Sequence, residues 1–228
     1  MRLLQPVTGN TSQGPRRRAL TDEIPIPTVP LLELACGNSA SCGVTYENEY
    51  LCWEGPFLDF FPVEPELVHG LSMDSTAVAA LRLEDDHPTF WGGIPAWLAW
   101  EAPDRPVEMI ALERRIETDD ACVIYKDGGL HCWGGSAEEG QVPPEGMYQF
   151  VTIAHSTACA IRDDGSPVCW IPDPDGHIDQ LPLFNEPLVT LALGVRHGCA
   201  LTASGHIRCW GKGKGGRLGV PAPPSEVP

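Results

Sequence analysis

The stretch 199-CALTASGHIRCW-210 reads as a β-hairpin: an apolar run, a turn at Ala203-Ser204-Gly205, and a return strand ending in Cys-Trp. Gly205 tolerates the positive φ that such a turn demands. The same spacing recurs as 42-CGVTYENEYLCW-53, 122-CVIYKDGGLHCW-133 and 159-CAIRDDGSPVCW-170, so Cys42/Cys52, Cys122/Cys132, Cys159/Cys169 and Cys199/Cys209 are each ten positions apart. A fifth copy without cysteine, 80-ALRLEDDHPTFW-91, puts Ala80 and Phe90 in the two cysteine places. In all five, the sixth residue after the first place is Asn48, Asp86, Gly128, Gly165 or Gly205, residue types that accept a left-handed turn.

With the turn fixed there, the two cysteines of each hairpin face each other across an antiparallel pair, within disulfide range. Zinc is a poorer match, because two sulfurs per hairpin come without a second knuckle. Disulfides are expected, and reduced thiols are the alternative. The ninth cysteine, Cys36, lies six residues before Cys42, where later units carry Ile116, Ile153 and Leu193. It is expected to be a small buried core residue, although an odd cysteine could pair between chains.

The tryptophans that close the hairpins step along the chain by 38, 42, 37 and 40 residues, a period that marks a solenoid or a propeller. An apolar strand precedes each hairpin, as in 31-LLELAC-36, 109-MIAL-112, 147-MYQFVTI-153 and 188-LVTLAL-193. The chain has 228 residues with 24 Gly and 23 Pro, poor ground for long helices. No apolar run approaches the length of a membrane-spanning helix. Formal charge is -16, and residues 1–18 carry four arginines and no acid, so the remainder is more acidic still. Such a body repels phosphate backbones; nucleic-acid binding is not expected, and a partner with a basic surface is.

At 189-VTLALGVRHGCALTASGHIRCWGKGKGGRLG-219 the unit resembles the repeat of the regulator of chromosome condensation family. Gly194, His197, Cys199, Ala200, Leu201, Gly205, Cys209, Trp210, Gly211 and Gly219 carry the likeness. The units at 116–134 and 153–170 keep the Cys, Gly and Trp positions but lack the His, and the first two are more degenerate. The resemblance implies an all-β fold, a β-propeller of about five repeats of about 40 residues. It further implies one four-stranded blade per repeat, where the family usually has seven. Ring closure by terminal strand pairing through 24-IPIPTVP-30 is expected, since it removes an exposed edge. The in-phase tryptophans Trp53, Trp91, Trp133, Trp170 and Trp210 are expected to pack between blades, and His197 to hydrogen-bond loop backbone.

The organisation expected is a flexible tail over 1–22 and one propeller domain over 23–228. The tail has no signal-peptide apolar region, yet paired cysteines argue for an oxidising compartment, so an extracytoplasmic location is expected. Carboxylate pairs are common, but Asp85-Asp86 and Asp163-Asp164 fall on hairpin turns, and 173-DPDGHID-179 lacks the ligand spacing of a calcium loop. No metal site and no cofactor is expected, and no catalytic residue is singled out. Departures from the repeat put Phe57, Phe60, Phe61, Trp97 and Trp100 in Pro-bounded stretches flanked by acids, which suits anchors of a protein interface as well as interblade packing. The expected function is a non-enzymatic protein-protein interaction module. The family also includes a secreted propeller that inhibits β-lactamases and a founder that exchanges guanine nucleotide on a small GTPase. A hydrolase using carboxylates at the ring mouth is the remaining alternative.

Overall fold

The computed structural model describes residues 29–37, 41–53, 67–74, 77–93, 99, 101–114, 119–135, 142–154, 157–170, 180–213 and 216–219. They form five three-stranded antiparallel sheets in chain order. Blade one is β1(Leu31–Cys36), β2(Ser41–Thr45) and β3(Tyr50–Trp53); blade two is β4(Val68–Asp74), β5(Ala77–Arg82) and β6(Pro88–Gly92). Blade three is β7(Val107–Arg114), β8(Asp119–Tyr125) and β9(Leu130–Gly134); blade four is β10(Tyr148–Ala154), β11(Thr157–Arg162) and β12(Pro167–Cys169). Blade five is β13(Leu188–Leu193), β14(His197–Thr202) and β15(Ile207–Gly211). The stretches that follow each third strand, where a fourth would be sought, lie outside the described residues, as do the tail 1–22 and most of the expected closing segment 24–30.

All four cysteine pairs are disulfides: Cys42–Cys52, Cys122–Cys132, Cys159–Cys169 and Cys199–Cys209. Each bridges directly opposed residues of the second and third strands. Their Cα atoms are 4.0 to 4.1 Å apart, the close spacing of a non-hydrogen-bonded pair and tighter than the sequence reading allowed for. The two halves of a bridge are not equivalent. Cys42, Cys122 and Cys159 on second strands are fully buried, whereas their partners Cys52, Cys132 and Cys169 are half-buried, because the third strand lies further from the packed centre of the blade.

The turn residues have the expected backbone: φ is 62° at Asn48, 57° at Asp86, 83° at Gly128, 82° at Gly165 and 84° at Gly205. The cysteine-free hairpin corrects the sequence register by one. Ala79, not Ala80, faces Phe90, and Ala80 faces Thr89. The cause is a turn longer by one residue: Arg82 N–H donates to His87 O, whereas Arg162 N–H donates to Ser166 O in blade four.

The core is divided into four layers, one between each pair of successive blades. The cystine face of each blade packs on the tryptophan face of the next. Cys42 and Val44 of blade one, with Cys52 at the margin, meet Val68, Val78, Ala80 and Trp91 of blade two. Ala77, Ala79 and Leu81 of blade two meet Val107, Ile110, Leu112 and Trp133 of blade three. Cys122 and Ile124 then meet Tyr148, Val151 and Ile153, with Cys132 and Trp170 at the margin. Finally Cys159 and Ile161 meet Leu188, Leu191 and Trp210. Trp91, Trp133 and Trp210 are buried, as interblade packing residues should be. A small residue lies opposite the tryptophan for a steric reason: a Cβ at Gly198 would come within 2.5 Å of the Trp210 ring. Gly194 obeys the same logic, since a Cβ there would lie 2.6 Å from Cε1 of His197. His197 thus covers a glycine with its ring, while its backbone carbonyl accepts the Gly194 N–H at 2.8 Å.

Cys36 contradicts the buried reading: it is free and exposed. It pairs with Ser41 in the register position held by Leu112 in blade three, by Ile153 in blade four and by Leu193 in blade five. In the third unit the equivalent residue is therefore Leu112 rather than Ile116. In later blades this position faces the preceding blade, and among the described residues nothing precedes blade one.

Candidate protein-interaction surface

The second-to-third-strand turns of all five blades lie at the ends where the inner strands begin. This follows from antiparallel order, and the turn hydrogen bonds agree. Val68 N–H donates to Asn48 O, Val107 N–H to Asp86 O, Tyr148 N–H to Gly128 O and Leu188 N–H to Gly165 O, at 2.8 to 2.9 Å. Each left-handed turn residue thereby aims its carbonyl at the next blade and fixes that blade's height. The result is one continuous face built from five turns.

Short side chains hold the individual turns. Asp127 Oδ1 accepts the Gly129 N–H at 3.1 Å and Asp164 Oδ1 accepts the Ser166 N–H at 2.8 Å. Thr45 Oγ1 accepts from Glu47 N and Glu49 N, and Thr202 Oγ1 from His206 N, each at 3.2 Å. These Asx- and Ser/Thr-type closures explain why acids and hydroxyls crowd the turns.

An ion network ties blade two to blade three on this face. Asp86 is 2.7 Å from His69 Nε2 through Oδ1 and 2.9 Å from Lys126 Nζ through Oδ2; Lys126 reaches Glu108 at 3.4 Å. Arg82 makes a two-pronged contact with Asp85, at 3.0 Å from Nε and 2.7 Å from Nη2. Arg105 bonds Asp127 at 2.9 Å while its guanidinium lies 3.9 Å from the Tyr125 ring centroid. The Lys126 and His69 hydrogen bonds hold the Asp86 carboxyl below its ordinary range, and Asp86 in turn raises Lys126. The Gly129 N–H and Arg105 lower Asp127, and the Ser166 hydroxyl and N–H lower Asp164. These carboxylates are therefore ionised throughout the neutral range, and the face is predominantly negative. Apolar side chains interrupt it: Tyr46, Leu67, Leu83 and Met147 are exposed along the same turns and strand starts.

Of the interface anchors expected from the sequence, Phe57, Phe60, Phe61, Trp97 and Trp100 all lie outside the described residues. The pairs Asp85-Asp86 and Asp163-Asp164 are on turns, as their register requires, and the first is committed to Arg82, His69 and Lys126. Sequence reasoning missed Lys126, Arg105 and His69. Their one signal was the rarity of bases beside turns in so acidic a chain.

Five radially adjacent antiparallel blades, locked cystine face to tryptophan face, define a β-propeller. Residues 189–217 match the Regulator of chromosome condensation (RCC1) repeat, and the earlier blades repeat its Cys, Gly and Trp pattern. The solved structures agree on the fold. The CRINKLY WD40 ectodomain of the Arabidopsis thaliana receptor kinase ACR4 is 22% identical with a TM-score of 0.65, covering 86% of this chain and 68% of that one. The ectodomain of the Physcomitrella patens receptor kinase CR4 is 20% identical, TM-score 0.64, covering 82% and 53%. Prp20p from Saccharomyces cerevisiae is 14% identical, TM-score 0.64, covering 84% and 59%. The chain thus spans 53 to 68% of the length of these structures. No curated protein sequence matches the chain.

Proposed function

We propose that the chain is a non-enzymatic protein-interaction module of an extracytoplasmic compartment, docking a partner with a basic surface. One observation carries this reading: the five-turn face combines ionised carboxylates with exposed Tyr46, Leu67, Leu83 and Met147 on a scaffold of four disulfides. Acidic groups steer a basic partner and set the on-rate, while apolar and aromatic contacts supply affinity. The disulfides favour an oxidising compartment. The yeast propeller Prp20p was solved together with its binding properties to Gsp1p and histones, and a protein ligand is the corresponding expectation here. Phe57, Phe60, Phe61, Trp97 and Trp100 are proposed as the anchors beside this face.

The test is binding to immobilised core histones as a basic probe over a range of salt. Glu84→Lys with Asp163→Lys should slow association about tenfold at low salt and less at high salt. Trp97→Ala with Trp100→Ala should speed dissociation and leave melting unchanged. Variants that lower the melting temperature while binding stays intact would place those tryptophans in the core and remove the proposed anchors. Binding that ignores both pairs of changes refutes the docking face.

A further inference from the structure

Each of the four blade-to-blade contacts is assembled from the same two halves. The leading half is a cystine face, or Ala79 and Phe90 in its place, with a turn carbonyl. The following half is a tryptophan face with an inner-strand N–H. At the two ends of the chain each half stands without its complement. Gly205 has the same φ as Gly128 and Gly165, yet a Cβ added there would meet nothing within 4 Å. At Gly165 it would lie 2.3 Å from Cβ of Pro187, and at Gly128 2.8 Å from Cε of Met147. Ile207 occupies the register position of Leu130 and is 71% exposed, whereas Leu130 packs on blade four. Cys199 is half-buried, while Cys42, Cys122 and Cys159 are at most 1% exposed.

The opposite end mirrors this. Leu34 is 62% exposed where the equivalent Ile110, Val151 and Leu191 are at most 3% exposed. Cys36 is exposed where Leu112 is buried, and Trp53 is half-buried where Trp91, Trp133 and Trp210 are buried. The curvature of the arc is that of a larger assembly, because 86% of the chain superposes on only 68% of the Arabidopsis ectodomain.

We propose that the faces of Ile207 and Leu34 are docking sites for a single occupant: polypeptide folded as further blades of this same repeat, entering between blade five and blade one. Its first face carries a tryptophan over a small residue and an inner-strand N–H for the Gly205 carbonyl. Its last face carries a cystine and a turn carbonyl for the Leu31 N–H, and it covers Leu34 and Cys36. The interface it makes is the one already present four times within the chain. A second whole copy has both faces but brings five blades to an arc that leaves room for fewer.

Blades three and four, residues 107–186, carry both required faces and serve as the probe. Cys36 is the reporter, since its free thiol lies on the face to be covered. The full chain is titrated with the 107–186 polypeptide, and in a parallel format a second copy of 107–186 is fused after Gly219. Docking should slow alkylation of Cys36 by about tenfold or more, as burial confines reaction to rare opening. Ile207→Asp with Leu34→Asp, both at exposed positions, should restore the fast rate. The proposal is overturned by a rate unchanged in both formats, or slowed equally in the double variant. It is also overturned if Cys36 in the chain alone already reacts at the slow rate of a buried thiol, because the two ends would then close on each other.

Discussion

Gly165 and Gly205 offer a paired perturbation in which the backbone cost is shared and only the neighbour differs. Both sit third in their turns with φ of 82° and 84°, so replacement by alanine puts an L side chain in the left-handed region at either site. That cost is about 1 kcal/mol. At Gly205 the new methyl meets nothing within 4 Å and the account ends there. At Gly165 the methyl would sit 2.3 Å from Cβ and 2.9 Å from Cα of Pro187, the residue that leads into the next blade. Relief requires blade five to move off blade four, stretching the 2.9 Å bond from Leu188 N–H to Gly165 O. Overpacking of this kind costs about 1–3 kcal/mol. The expected losses are thus about 1 kcal/mol for Gly205→Ala and about 2–4 kcal/mol for Gly165→Ala. The assay is urea unfolding under non-reducing conditions, followed by tryptophan fluorescence, with the two variants compared at a common slope. Equal losses at the two positions would refute the reasoning, since they would mean either that the blade contact at Pro187 is not made or that Gly205 is packed as tightly.

Two other outcomes follow from the geometry. Replacing Cys159 and Cys169 together by alanine reopens a loop with a sequence separation of 10 and should cost about 2.7 kcal/mol of unfolding free energy, read from the denaturant midpoint. Non-reducing peptide mapping of the native chain should recover each cysteine joined to its partner ten positions away, Cys42 with Cys52 and Cys122 with Cys132 among them. Asp86 predicts acid sensitivity: its carboxyl is lowered in the fold, so its contribution is complete above the unfolded value of about 3.9 and is lost as pH falls through the folded one. The drop in melting temperature between pH 5 and pH 3 should be smaller in Asp86→Asn, and added salt should narrow the difference because the network is on the surface.

The hairpins, disulfides and positive-φ turns are legible in the sequence because each depends on residues within twelve positions of one another. A cysteine spacing and a turn residue define such a unit with no knowledge of what surrounds it. The failures share the opposite cause. Cys36 reads as buried from its alignment with Ile153 and Leu193, which is correct for its place in the strand. Burial, however, depends on the blade before it, and the repeat pattern does not encode which unit comes first. The unequal burial of Cys42 and Cys52, or of Cys122 and Cys132, has the same origin: spacing pairs the sulfurs but does not say which strand lies deeper. The register error at Ala80 arises because Asp86 aligns as the turn residue while the extra residue of the 82–87 turn stays hidden, Leu81, Ala80 and Ala79 all being plausible core residues. Lys126 and His69 meet at Asp86 from different strands and different blades, a convergence that only the packed arc brings about.

The division of the core into separate interblade layers has a bearing on how the molecule comes apart. Each interior blade is clamped from two sides, whereas blade one and blade five are clamped from one, and in a nearest-neighbour array stability is the sum of such local terms. Opening should therefore start at the extremities and move inward, with amide exchange fastest in β1 and β15 and slowest in β8. The outermost sulfur bridge, Cys199–Cys209, would be the first exposed to a reductant, so a loss of reducing protection would peel the arc from its carboxyl-terminal end.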